Sequence, residues 1–157
     1  MLLAVDIGNT HIVTGLLDPK GEVLLSFRVS SNEKLTEDEY FSYLKNICDF
    51  NAIEIKKLNG IVISSVVPNL IGIFQFLGRK YFKIEPMIID LNLNLPFSFA
   101  EDLQVNGFGA DRIIDIAQAV IDYPNRNLVI FDLGTATTYE VLKDGVYIGG
   151  GILPGIE

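Results

Sequence analysis

The chain has 157 residues, 49% of them hydrophobic and 20% charged, a balance that excludes disorder and supplies a sizeable core. A net charge of −8 with scattered lysines and arginines argues against nucleic acid as a partner, and the pairs Lys56-Lys57 and Arg79-Lys80 read as solvated surface. The single Cys48 cannot form an internal disulfide, and the N-terminal apolar run is cut at Asp6, so neither a signal peptide nor a membrane span is expected; the expected setting is cytoplasmic.

Residues 2–7 read as a buried strand, with 11–17 and 23–29 as antiparallel neighbours. Thr36 predicts a helix start, because Glu39 three residues on completes a capping box. Tyr40, Phe41, Leu44, Ile47 and Cys48 then recur at helical spacing to about residue 51, as packing rather than chemistry. Residues 60–65 form a second buried strand, stopped by Pro68; Asn69 is a candidate cap for a helix with Leu70, Ile73, Phe74 and Leu77 on one face. A short strand is expected from Met87 to Asp90, then mostly loop from Asn92 to Gln104. Ala110 to Ile121 predicts a helix with Ile113, Ile114, Ala117 and Val120 inward, ending before Pro124, and a new β unit starts at Leu128.

One motif occurs twice. Val5-Asp6-Ile7-Gly8-Asn9-Thr10 is echoed by Phe131-Asp132-Leu133-Gly134-Thr135-Ala136-Thr137, and each copy follows an apolar run and precedes a β-prone stretch with a turn, Pro19-Lys20-Gly21 or Lys143-Asp144-Gly145. A buried strand ending in a carboxylate, a glycine and small polar side chains suits phosphate and cation binding: the glycine permits close approach, the polar groups donate, and the aspartate holds a cation directly or through water. Two such hairpins predict a phosphoryl-transfer site and an ATP-using enzyme. The glycine motif leads into antiparallel hairpins where a Rossmann fold would start a helix, and no Gly-x-x-x-x-Gly-Lys-Ser/Thr P-loop is present. The expected fold is α/β and ribonuclease-H-like, the duplicated type seen in actin, sugar kinases and chaperone ATPases. Its first lobe would span 1–123 including a connecting helix, and 124–157 would hold the first strands of a second lobe.

The sequence resembles the type III pantothenate kinases. Asp6-Ile7-Gly8-Asn9-Thr10-His11 is similar to the family's first phosphate motif, Ser65-Val66-Val67-Pro68 to a segment after its central strand, and Gly109-Ala110-Asp111-Arg112 to its substrate and catalytic motif. Asp132-Leu133-Gly134-Thr135-Ala136-Thr137-Thr138 resembles the second phosphate motif, and Gly149 to Gly155 the glycine-rich segment. The first motif is shared by any actin-like ATPase; Gly-Ala-Asp-Arg followed at this interval by Asp-Leu-Gly-Thr-Ala-Thr-Thr is specific. The likeness runs end to end, while the family's second lobe continues for roughly a hundred residues more, the size of a further lobe. The chain is therefore expected to be an N-terminal portion, not itself a competent kinase.

The resemblance implies an enzyme that phosphorylates pantothenate with ATP to 4′-phosphopantothenate, the first step toward coenzyme A. It makes Asp111 the catalytic base, since attack by a primary alcohol on phosphorus needs a proton acceptor, and gives Gly109, Ala110, Asp111 and Arg112 contact with pantothenate. ATP would be met by Asp6, Ile7, Gly8, Asn9, Thr10, His11, Ile12, Val13 and Thr135. Asp6 would hold magnesium largely through water, and Asp132 a monovalent cation, potassium or ammonium. Each assignment has a plainer counterpart: Asp6 as a hairpin cap, His11 as a hydrogen-bonded strand residue, Asp111 as an acid complementing a helix dipole, Asp132 as a second magnesium-side acid. A homodimer is implied for the full-length form. The rival functions are a non-catalytic accessory or regulatory relative of the same fold, which intact Asp6, Asp111 and Asp132 disfavour, and an actin-like-fold polyphosphate phosphatase, which Gly109 to Arg112 disfavours.

Overall fold

The computed structural model describes residues 1–103, 105, 108–134 and 136–155. It divides into two compact units, Met1–Ile89 and Asp90–Glu157.

In the first unit, β1 (Leu2–Ile7), β2 (His11–Leu17), β3 (Val23–Ser30), β4 (Gly60–Ser65) and β5 (Met87–Ile88) form one sheet in the order β3-β2-β1-β4-β5. The hairpin β1–β2–β3 is antiparallel, while β1–β4 and β4–β5 are parallel. The parallel steps require crossovers, which α1 (Glu37–Phe50) and α2 (Pro68–Leu77) supply. Register puts Leu16, Leu3 and Ile61 in one row and Thr14, Val5 and Ile63 in the next, all buried. Tyr40, Leu44 and Cys48 of α1 and Leu70, Phe74 and Leu77 of α2 join them in a single core. Each large side chain taken from water there contributes about 1.5–3 kcal/mol. Two-residue periodicity dictates the result: with Leu3, Val5 and Ile7 inward, Asp6 must point away from this core.

The capping box at α1 forms as expected, with Glu39 N–H donating to Thr36 Oγ1 and Thr36 N–H to the Glu39 carboxylate. The start of α2 differs. Pro68 is its first residue, after Val67 at the cap, so Asn69 lies inside the helix and its amide donates to Glu33 instead. Proline lacks the N–H that a first helical residue leaves unused, which makes it a starter here rather than a stop. The Ser65 hydroxyl donates to Val67 O and accepts from Val67 N–H, both at 3.0 Å, so Ser65-Val66-Val67-Pro68 is the turn that launches α2.

In the second unit, β6 (Ser98–Phe99), β7 (Leu128–Leu133), β8 (Ala136–Lys143) and β9 (Val146–Pro154) form a sheet in the order β6-β9-β8-β7, packed by α3 (Ala110–Asp122). β7–β8–β9 is an antiparallel meander like β1–β2–β3. Asp144 and Gly145 both have positive φ, as a tight β8–β9 hairpin requires. The stretch 92–104, expected as mostly loop, contributes β6, paired parallel to β9. On α3, Ile114 faces out and Ile116 is fully buried, packed with Ala117, Val120, Leu128, Ile130 and Leu142. The expected inward set was offset because 113 and 117 leave the stripe undecided between 114 and 116. With α3 packed this way, the compact boundary falls at 89/90, ahead of the expected lobe boundary at 123/124.

Strand alternation gives the second sheet another apolar face. Leu128 and Ile130 join the core, whereas Val129, Phe131 and Leu133 are 59–61% exposed. A contiguous apolar stripe of this kind promotes association. The 157-residue chain should therefore gain mass with concentration in sedimentation experiments, and Phe131→Lys should suppress this without lowering the melting temperature. A wild-type chain that stays monomeric at high concentration contradicts the expectation.

Candidate active site

Asp6 and Asp132 occupy the same place in their meanders, the fifth position of a six-residue strand, and both are exposed. In each case the glycine two residues on spends its N–H within the turn. Gly8 N–H donates to His11 O at 3.0 Å, and Gly134 N–H to Ala136 O at 3.1 Å. Gly8 therefore closes the hairpin with its N–H, and what it leaves for a phosphate is close approach to the backbone. Asn9, Thr10 and His11 have exposed side chains, and Asn9 and Thr10 form the loop between the paired Gly8 and His11. Val13 is exposed beside Asp6 in register, while Ile7 and Ile12 are fully buried and could offer a ligand only backbone atoms. Thr135 lies outside the described residues.

Two serines that the sequence reading passed over belong to the Asp6 corner. Ser31, just past β3, donates its hydroxyl to Gly8 O at 2.5 Å and its N–H to Thr10 O at 2.9 Å. It thus ties both sides of the Asn9–Thr10 loop. Its neighbour Asn32 exchanges two 3.0 Å hydrogen bonds with the Tyr40 hydroxyl, so the loop is anchored to α1; burial raises the Tyr40 pKa above its ordinary value. Ser64 is the parallel register partner of Asp6, is 4% exposed, and has no hydrogen-bond partner for its hydroxyl among the described residues. An unpaired buried hydroxyl is costly. The available signal for Ser64 was its parity, out of phase with the core residues Ile61 and Ile63.

Asp111 stands in the first turn of α3, after Gly109 at the cap. Its Oδ1 accepts from Arg112 N–H at 2.8 Å, so it does serve the helix terminus. Its Oδ2 takes no hydrogen bond among the described residues, so one oxygen remains for a second task. Gly109 is required by this arrangement, since a Cβ there would sit 2.3 Å from Asp111 Oδ1. Ala110 is buried beneath them.

Arg112 is held from several sides. Its Nε donates to Glu140 Oε1 at 2.5 Å, and Nη2 to Glu140 Oε2 at 2.8 Å and to the Tyr147 hydroxyl at 2.9 Å. The guanidinium carbon lies 4.4 Å from the Phe108 ring centroid, a cation–π contact. Glu140 is only 2% exposed. Hydrogen bonding to Glu140 raises the Arg112 pKa above its ordinary value, and burial with the Glu140 bond and charge pushes Tyr147 up to about 12. Gly150 faces Glu140 across the strands; a Cβ there would lie 2.5 Å from Glu140 Oε2 and 2.7 Å from the Tyr147 oxygen. Neither Glu140 nor Tyr147 was singled out from the sequence. The signal was a charge on the same strand face as core residue Leu142.

The model of the type III pantothenate kinase family matches residues 2–157. The chain belongs to that family. A type III pantothenate kinase of Fusobacterium nucleatum is 63% identical over 157 residues, which are all of this chain and 61% of that protein. One from Kosmotoga olearia is 36% identical over 155 residues, 99% of this chain and 58% of its own length. The chain thus spans about 60% of the length of these relatives. Among solved structures, a reductive activator for a corrinoid, iron–sulfur protein aligns with TM-score 0.57 at 15% identity, over 88% of this chain and 28% of its own. The activator of 2-hydroxyisocaproyl-CoA dehydratase from Clostridium difficile, with bound ADPNP, aligns with TM-score 0.52 at 12% identity, over 98% of this chain and 45% of its own. These likenesses show the fold, which is of the actin and sugar-kinase type expected from the hairpin-after-aspartate pattern. No helix of the described residues is long and apolar enough to cross a membrane.

The Ser31 tie has a direct test. Ser31→Ala removes one hydrogen bond, worth about 0.5–1.5 kcal/mol, so exchange of the Gly8 amide should quicken by about threefold to tenfold while the amides of β4 keep their protection. Unchanged exchange at Gly8 would mean that the hairpin holds itself.

Proposed function

We propose that the protein carrying this chain is a pantothenate kinase, transferring the γ-phosphoryl group of ATP to the primary hydroxyl of pantothenate to give 4′-phosphopantothenate and ADP. In this reading it takes the first step toward coenzyme A in the cytoplasm. The observation that carries the reading is Asp111: a family member's Gly-Ala-Asp-Arg motif opens α3, with one carboxylate oxygen spent on the helix and the other without a partner among the described residues.

The residues take the following roles. Asp111 accepts the proton from the pantothenate hydroxyl as its oxygen attacks phosphorus, and Gly109 to Arg112 form part of the substrate site. The Asp6 hairpin, from Asp6 to Val13, meets the ATP phosphates, with Asn9 and Thr10 supplying the loop's donors. Asp6 fits a hydrated magnesium ion: the carboxylate is exposed at a strand end, and the orphaned Ser64 hydroxyl is its register partner. When bound, the ion neutralises charge on the phosphoryl oxygens. Asp132, equivalent in place to Asp6, is assigned to potassium or ammonium, and Thr135 to ATP. A homodimer of the full-length form completes the reading.

Two outcomes follow for the full-length gene product. ADP release should require pantothenate and rise when potassium or ammonium replaces sodium; turnover indifferent to pantothenate would defeat the assignment. Asp111→Asn keeps the shape but removes the proton acceptor, so kcat should fall by about a hundredfold or more with a smaller change in KM. Near-normal kcat would return Asp111 to a helix-capping role alone.

A further inference from the structure

Arg112 has two tasks open to it, gripping an anionic or polar part of the substrate or holding Asp111. Its surroundings favour the second task. A guanidinium has five N–H donors, and those on Nε and Nη2 are committed to Glu140 and Tyr147. The paired carboxylate also offsets its charge, so Arg112 is a weak lure for a substrate anion. As an anchor it is well made. The bond to Glu140 is bidentate, Tyr147 fixes the outer nitrogen, Phe108 covers a face, and Gly150 leaves the space that the carboxylate and the phenol occupy. The backbone N–H of this anchored residue is the one that holds Asp111 Oδ1.

We infer that Glu140 and Tyr147 are positioning residues for Asp111: by clamping Arg112 to β8 and β9 they fix the first turn of α3, and with it the direction of the second Asp111 oxygen. The inference rests on the pantothenate kinase reading and adds to it two residues that touch no substrate. Glu140→Gln presents an amide donor to a guanidinium donor and breaks the bidentate pair; Tyr147→Phe removes one hydroxyl and keeps the ring contacts with Phe99 and Phe108. Loosened geometry at a general base lowers the rate of the chemical step more than it alters binding.

The test is a double-mutant cycle on the full-length gene product, with kcat and both KM values measured and melting temperatures recorded. Tyr147→Phe should lower kcat about tenfold and Glu140→Gln about a hundredfold, with either KM moving less than about threefold. In an Asp111→Asn background both losses should nearly vanish, because the geometry they protect no longer serves a base. A purely structural role would cost as much in that background as in the wild type, and additive losses overturn the inference. So does a rise in pantothenate KM at constant kcat, which would make the Arg112 guanidinium, and not only its backbone, a substrate contact. If Glu140→Gln does not fold, the Tyr147→Phe cycle decides alone. Wild-type protein that leaves pantothenate unphosphorylated overturns the functional reading and this inference with it; wild-type turnover with unaltered variants overturns the inference only.

Discussion

Strand β1 is the constraint on which the first unit depends. It lies between an antiparallel partner, β2, and a parallel one, β4, so its backbone is hydrogen-bonded on both edges. Its inward side chains, Leu3, Val5 and Ile7, are the middle of the core. A strand so fixed cannot slip without exposing three apolar residues. Asp6, on the same strand with opposite parity, inherits that rigidity at no further cost. The sheet order, the helices on one face and the position of the acidic group are one packing solution.

The second unit solves a related problem with polar atoms. Its sheet core is smaller, and a charged pair sits in it beside aromatic rings. Burying Arg112 and Glu140 together is tolerable because the carboxylate is met bidentately and the phenol takes a further donor. Removing one partner would leave the other unpaired, a cost of about 3–5 kcal/mol. Such a cluster adds little net stability over a well-packed apolar substitute, but it sets geometry that apolar contacts would leave soft. The first unit uses the milder form of the same device, in which Tyr40, Asn32 and Ser31 carry the fixity of α1 to the Gly8 hairpin.

Most of the fold was legible because local chemistry and burial agree. The capping box at Thr36, the alternation in β1 and β2, and the turn residues Asp144-Gly145 each name their structure without reference to the rest of the chain. What was missed needed a partner far away in sequence. β6 is two residues long and exists only because β9 lies beside it. Pro68 reads as a stop until one sees that Val67 is the cap. The duplicated aspartates and Gly-Ala-Asp-Arg were plain as motifs, yet Ser31, Ser64, Glu140 and Tyr147 were silent, since each acts through a residue 23 to 58 positions away. Spacing likewise shows that a glycine is present at position 8, not which carbonyl its N–H has met.

The Arg112–Glu140 pair also bears on how β8 finds its neighbours. Glu140 sits opposite Ile130 on β7 and Gly150 on β9. A slip of one residue would turn the carboxylate onto the sheet's exposed apolar face and press Tyr139 toward the helix. A slip of two would keep the face but carry the carboxylate about 7 Å along the strand, out of reach of the guanidinium, at about 3.4 Å per residue. It would also confront Glu140 with a residue other than Gly150. Threonine, tyrosine and valine along β8 tolerate several pairings, as strand residues generally do. The one buried charge does not, and the meander that carries Asp132 has a single register in which it can be satisfied.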